Sequence, residues 1–249
     1  MQVLKFGGTS VANAQNMSHV VDIVTKAVDR DRTILVASAI SGCTDTLIRI
    51  GNLAAERDET YKELINGLQE KHHEIIDTML PREKQTDSKN VCDSLFDSLR
   101  SIAQGVFLLG ELSPASLDAI QGFGELWSTK ILATKLASIG IATKWIDSRQ
   151  IIRTVNKNGK NVVDVHKTYY RINEMVESDP VTQLFVLPGF IASDKQGRTT
   201  TLGRGGSDYT AALYAVGCKA RILEIWTDVP AAAASPISPT SEALSSATS

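Results

Sequence analysis

Several short segments of the chain combine glycine, hydroxyl and charged residues just where apolar runs stop. The first is Lys5-Phe6-Gly7-Gly8-Thr9-Ser10. Glycines there let backbone N–H groups approach phosphate oxygens, a following helix N-terminus adds positive potential, and a lysine leaving a strand can neutralise developing charge. The lysine precedes the glycines, so this is not the Walker pattern, and GxGxxG is also absent. The structural alternative is a tight strand-to-helix turn with a surface lysine. A second segment, Ser38-Ala39-Ile40-Ser41-Gly42-Cys43-Thr44-Asp45, makes Ser38 and Thr44 candidate hydrogen-bond partners for a small polar substrate. Helix capping by Ser41 or Thr44 explains the same residues. No base is identifiable beside Cys43, and a reactive thiol needs a lowered pKa, so it is read as non-catalytic.

In Gly122-Phe123-Gly124-Glu125-Leu126-Trp127-Ser128-Thr129, Glu125 could accept from a substrate ammonium; the alternative is an acid favoured by the helix dipole. The richest segment runs Thr199-Thr200-Thr201-Leu202-Gly203-Arg204-Gly205-Gly206-Ser207-Asp208. Its glycines free the backbone to curl amides toward an anion, and Arg204 can grip a carboxylate or phosphate with a bidentate fork. A surface turn with Ser207 as an ordinary N-cap is the competing reading. Finally, Ile225-Trp226-Thr227-Asp228 ends an apolar run with a hydroxyl and a carboxylate, suited to holding a nucleotide, to orienting magnesium, or to closing a strand.

These segments need a scaffold that brings strand ends together. Apolar runs rich in β-branched and aromatic residues occur at 3–6, 34–37, 142–146, 184–187 and 221–226 and read as buried strands. Helix-period stretches lie at 13–28, 44–55, 60–79, 91–109, 122–138, 166–176 and 207–216. Strands separated by helices imply βαβ units and a mainly parallel sheet, with ligands beyond the carboxyl ends of the strands. Residues 56–113 read as a helical insertion beside the sheet. Within it the adjacent His72 and His73 face different sides of a helix, so they are read as solvated surface residues that do not share a metal. From residue 230 to 249 the chain is dominated by Ala, Ser, Pro and Thr and reads as a low-complexity tail.

Length and composition agree with one large α/β domain: 249 residues, 43% hydrophobic and 22% charged. A formal net charge of -2 gives no global attraction to nucleic acid or anionic membrane, so an anionic ligand must be held locally. The three cysteines, Cys43, Cys92 and Cys218, are widely spaced, which argues against a disulfide framework or zinc site and fits a cytoplasmic protein. The apolar run at 3–6 is too short for a signal-peptide core or a membrane span.

Together, KFGGTSVANA from Lys5, TTTLGRGGSDYTAA from Thr199 and EIWTDV from Glu224 resemble the aspartate kinases of the amino-acid kinase family, including those fused to homoserine dehydrogenase. The resemblance implies a three-layer α/β/α sandwich with a mostly parallel central sheet. It implies transfer of the γ-phosphoryl group of ATP, with Mg2+, to the β-carboxylate of L-aspartate, giving 4-phospho-L-aspartate for lysine, threonine and methionine synthesis. It assigns Lys5, Gly7 and Gly8 to the ATP phosphates and Thr227 and Asp228 to the nucleotide. Ser38, Thr44, Glu125, Arg204 and Ser207 fall to aspartate, with Arg204 on a carboxylate and Glu125 on the ammonium, and Asp208 is an orienting group near the reacting centre. The family continues past TDV into a TADPR-like block and regulatory domains that this sequence lacks. Residues 1–229 are therefore expected to be a C-terminally truncated catalytic domain whose last strand has an open edge prone to self-association; a fragment that binds without turnover is the alternative.

Overall fold

A computed structural model describes residues 1–227; Asp228 and the segment 230–249 expected to be a tail lie outside the described residues. The element order is β1 (Gln2–Phe6), α1 (Ala14–Arg30), β2 (Thr33–Ala37), α2 (Cys43–Ala55), α3 (Tyr61–Met79), α4 (Arg82–Leu109), α5 (Pro114–Gln121), α6 (Phe123–Ser138), β3 (Thr143–Trp145), α7 (Ser148–Ile151), β4 (Thr154–Lys157), β5 (Lys160–Val163), α8 (Val165–Glu177), β6 (Leu184–Pro188), β7 (Ile191–Ser193), β8 (Thr199–Thr201), α9 (Gly206–Gly217) and β9 (Ile222–Trp226). Among the described residues five strands form one sheet in the order β3-β6-β2-β1-β9, every pairing parallel.

The unbroken apolar runs follow from burial on both faces. Side chains alternate across a strand, so Leu4, Phe6, Leu35, Ala37, Leu184 and Val186 enter one core, while Val3, Ile34, Val36, Phe185 and Leu187 enter the other. Helices α1 and α6 cover the first face, backed by α2 to α5, and α8 and α9 cover the second. This is the three-layer α/β/α arrangement with a mostly parallel sheet. The register sets Phe6 opposite Ala37 and Trp226, and Ala37 opposite Pro188, so the strands end at one level and their loops emerge side by side.

Three features depart from the sequence reading. His72 is not a solvated surface residue: it is 0% exposed, between Phe96 and Trp127, with Nδ1 2.6 Å from Leu68 O. Burial pushes its pKa down to about 4. His73 is half-buried against Asp93 at 2.7 Å. Helix α4 begins at Arg82, not near residue 91; its first turns lack an apolar stripe but are held by Lys89 on Asp77 at 2.7 Å and Gln85 on Leu80 O at 3.0 Å. Two hairpins, β4-β5 and β7-β8, went unread. The first turns on Asn158-Gly159, both at positive φ (53 and 79), the pair that a two-residue hairpin turn favours.

Helices α8 and α9 meet at Gly217, where a Cβ would lie 2.8 Å from Ile172 Cδ1 and 2.9 Å from Ile172 Cβ. The second of these atoms cannot swing aside. Gly217→Val should therefore lower the unfolding free energy by about 2 kcal/mol or more, read by urea denaturation. An unchanged midpoint would mean that α8 retreats without cost.

Candidate functional site

A hollow of about 370 Å³ lies beyond the carboxyl ends of the central strands. Most of the residues singled out in the sequence line it together: Lys5, Gly8, Ser38, Thr44, Glu125, Ser207 and Asp208. A second hollow of about 320 Å³ between α4 and α6 has walls including Leu95, Trp127, Ile131 and Trp145 and receives none of these loops.

Lys5 is the penultimate residue of β1 and is only 7% exposed. Its Nζ lies 2.6 Å from Asp208 Oδ1, in the first turn of α9, so the cation is held at the hollow by a carboxylate from another element. The two glycines that follow have different reasons to be glycine. A Cβ on Gly8 would lie 3.0 Å from Ala39 O, and Gly8 O accepts from Ser41 N at 3.1 Å, so the first two loops interlock. A Cβ on Gly7 would make only ordinary contacts, 3.6 Å to Lys5 Nζ and 3.8 Å to Trp226 O. Gly7 is outside the lining of the hollow.

Glu125 is 3% exposed in the first turn of α6. The Ala39 amide hydrogen-bonds its carboxyl, while Oε2 has no partner among the described residues. Burial pushes its pKa up to about 8, overcoming the opposite effect of the Ala39 amide and of its own. Beneath it the Cys43 thiol is pushed up to about 12 by burial first and the nearby Glu125 second, which removes it as a nucleophile at neutral pH.

Two helices begin at the hollow. α2 starts after Gly42 at φ 78 and α9 after Gly205 at φ 72, and neither has a side-chain cap. Cys43 N–H turns back to Ile40 O and Gly206 N–H to Gly203 O, both at 2.9 Å, so it is the next N–H groups of each first turn that no side chain caps, and the helix dipoles favour an anion there. Neither Ser41 nor Ser207 is an N-cap, contrary to the capping alternatives. Arg204, between Gly203 and Gly205, is exposed and does not line the hollow, although both its neighbours do. Its guanidinium has no partner among the described residues. Thr227 lies elsewhere, on a separate hollow of about 290 Å³ with Phe6, Thr9, Ser10, Asn16, His19 and Trp226. Asp228 is outside the described residues.

Two lining residues were not singled out in the sequence. Asp45 stands exposed in the first turn of α2. Phe190 adopts φ 67, unusual for a bulky residue, with its N–H donated to Thr210 Oγ1 at 3.0 Å. Pro188-Gly189 just before it is a turn signal at a strand end, which would have marked another loop at this end of the sheet.

Comparison with known proteins gives a consistent result. The sequence profile of the amino acid kinase family matches residues 1–232. Lysine-sensitive aspartokinase 3 of Escherichia coli is 33% identical over 236 residues, covering 92% of this chain and 49% of that protein. Bifunctional aspartokinase/homoserine dehydrogenase 2 of Arabidopsis thaliana, described as chloroplastic, is 31% identical over 229 residues, 91% of this chain and 25% of that one. The structure of E. coli aspartokinase III in complex with aspartate and ADP superposes with a TM-score of 0.82 at 31% identity, over 92% of this chain and 49% of that one. The chain thus spans about half the length of the bacterial enzyme and a quarter of the plant one.

The buried Glu125 makes stability depend on pH. In the unfolded chain it ionises near its ordinary 4.5, in the fold only near about 8. The stability due to the neutral buried carboxyl is fully present below the lower value and is lost as pH rises through the upper one. Glu125→Gln stays neutral throughout. Relative to that variant the parent should lose on the order of 5 kcal/mol of unfolding free energy between those limits, measured by urea titration. A difference independent of pH would mean that Glu125 is already ionised in the fold.

Proposed function

The chain belongs to the amino acid kinase family, and on that premise we propose that it transfers the γ-phosphoryl group of ATP to the β-carboxylate of L-aspartate, giving 4-phospho-L-aspartate. The observation that carries this reading is the convergence on one hollow of a buried lysine, a buried carboxyl with an open oxygen and two helix N-termini without side-chain caps. Aspartate is an ammonium ion with two carboxylates, and ATP is a polyanion. The hollow offers complementary charge for each.

In this reading the substrate ammonium sits beside Glu125, where its charge lets the carboxyl ionise despite burial. Ser38, Thr44 and Ser207 hydrogen-bond the substrate, and Arg204 closes over a carboxylate from the rim. The attacking oxygen belongs to a carboxylate ionised at neutral pH, so no general base is needed. Catalysis then rests on positioning and neutralisation. Lys5 meets the transferred phosphoryl group, Asp208 orients its ammonium, and the backbone at Gly7 and Gly8 contacts the phosphates. Thr227 and Asp228 belong to the nucleotide side. Mg2+ would neutralise phosphate charge when bound; it needs one or two carboxylates besides phosphates and water, and Asp45 and Asp208 are the carboxylates lining the hollow besides Glu125. The product would enter lysine, threonine and methionine synthesis.

The free thiols, with Cys43 and Cys92 buried, support a cytoplasmic setting, and among the described residues no helix is long and apolar enough to cross a membrane. Among the described residues β9 pairs only with β1, and Ile222 and Ile225 are 38% and 49% exposed, which supports self-association at that edge.

A coupled ADP-release assay with aspartate, glutamate and UMP as acceptors tests the reaction; turnover is expected with aspartate alone. Ligand binding without turnover would sink the reading for this chain. Lys5→Ala should reduce turnover by about a hundredfold or more, the scale of one preorganised electrostatic donor, while the fold persists. Calorimetric titration of Arg204→Lys should show aspartate binding weakened far more than ATP binding, since a point charge cannot reproduce a bidentate fork. Equal weakening would place Arg204 between the two ligands.

A further inference from the structure

Arg204 reaches its place through a short strand whose side chains are tied, one by one, to other parts of the fold. Thr199 Oγ1 receives Arg149 Nη1 at 3.1 Å, Thr200 Oγ1 shares a hydrogen bond with Thr154 Oγ1 at 2.9 Å, and Thr201 Oγ1 donates to Asp118 Oδ1 at 2.8 Å. The last tie stands apart. Thr201 is the final residue of β8 before the glycine loop, and Asp118 lies on α5, the helix directly ahead of α6, whose first turn carries Glu125.

The same two parts touch a second time. At the α5-α6 junction a Cβ on Gly122 would lie 3.2 Å from Ile191 Cγ2 and 3.3 Å from Thr199 Cγ2, so the β7-β8 hairpin rests directly on the backbone that leads into Glu125. Beyond Thr201 only Leu202 and Gly203 precede Arg204, and Gly203 and Gly205 both take positive φ, 73 and 72. Glycines in that region give the loop little stiffness of its own. The height at which the loop starts, and hence the reach of an exposed guanidinium, is set by what holds Thr201.

We propose that Asp118 is a positioning residue: through Thr201 it fixes where the Arg204 loop stands relative to Glu125, and so the span between the groups that take the carboxylate and the ammonium of the amino-acid substrate. This rests on the reading of Arg204 and Glu125 given above. Asp118 is not among the residues lining the hollow. Asp118 Oδ2 also accepts a longer bond from Asn161 Nδ2 at 3.4 Å, and the Thr201 bond matters because α5 and α6 are consecutive, so displacement at Asp118 alters the loop against the same frame that carries Glu125.

Calorimetric titration of L-aspartate and of ATP into the full chain, with a thermal melt of each variant, tests this. Thr201→Val and Asp118→Ala should each weaken aspartate binding about tenfold, the scale of one hydrogen bond to an ionised group, with ATP binding within about twofold of the parent. The double variant should be no weaker than either single one. Thr201→Ser and Asp118→Asn, which keep the donor and the acceptor, should bind aspartate like the parent. Should a truncation fail to fold, Asp118→Glu moves the acceptor outward by one methylene and should weaken aspartate binding without a lower melting temperature. Unchanged aspartate affinity in Thr201→Val, alongside a weakened Arg204→Lys, would overturn the proposal and leave the function intact. Equal losses for both ligands with a lower melting temperature would also overturn it, leaving Asp118 a structural role only. No effect of Arg204→Lys on aspartate would overturn the underlying reading and the proposal with it.

Discussion

The site depends on one crowded point, Ala39. From one side the β1 loop approaches so closely that a Cβ on Gly8 would stand 3.0 Å from Ala39 O. From the other, α6 approaches until a Cβ on Gly124 would stand 2.6 Å from Ala39 Cβ. The Ala39 amide then holds the Glu125 carboxyl. Interiors packed at this density transmit displacement, so the loops after β1 and β2 and the start of α6 behave as one body. The parallel register that puts Phe6 opposite Ala37 determines that these loops leave the sheet at the same level. Gly8, read from sequence as room for a phosphate, is therefore first room for another backbone, as Gly124 is room for a side chain.

On this rigid junction the charges are arranged unequally. Lys5 already has a partner in Asp208, so its position is set before any ligand arrives. Glu125 has only part of its hydrogen bonds: the amides of Ala39 and of Glu125 itself, with Oε2 open. Leaving a buried polar atom unpaired costs about 1–3 kcal/mol, a cost that a ligand donating to it would remove. The glycine-started helices α2 and α9 are incomplete in the complementary sense, with N–H groups that no side chain caps. The hollow is thus short of one cationic donor at one wall and of anionic acceptors at two others. That is the polarity of a zwitterion next to a polyanion, and it comes from the scaffold before any loop moves.

The sheet was legible because burial on both faces leaves continuous apolar runs, and each predicted strand lies within a residue or two of its observed place. The glycine-rich loops were legible because they interrupt those runs abruptly. What escaped depended on partners far along the chain. Thr199 to Thr201 reads as three hydroxyls before a glycine loop; only the fold shows that each faces a different element, from Arg149 to Thr154 to Asp118. Asp118 itself, a single acid in a short helix, carries no local signal. Phe190 is hidden for the opposite reason, since a phenylalanine after Pro188-Gly189 reads as the resumption of an apolar run, not as a left-handed residue in the wall of a hollow.

His72 shows how a polar residue can be misread when its helix faces a second layer of helices instead of water. Periodicity places Ile65, Leu68, His72, Ile75 and Ile76 on one stripe of α3, and all are buried. The ring meets Trp127 at 4.9 Å, and Trp127 stacks on Phe96 of α4 at 4.0 Å and 16°. Trp127 is two residues beyond Glu125, so the aromatic cluster clamps the start of α6 from the side opposite the sheet. Leu68 O can only accept, so Nδ1 carries the proton of the neutral ring, and burial keeps it neutral down to about 4. With His72 neutral, the cluster acts on the start of α6 through packing alone, and it is the aromatic rings, not a charge, that hold Trp127 and the turn carrying Glu125 against the second layer of helices.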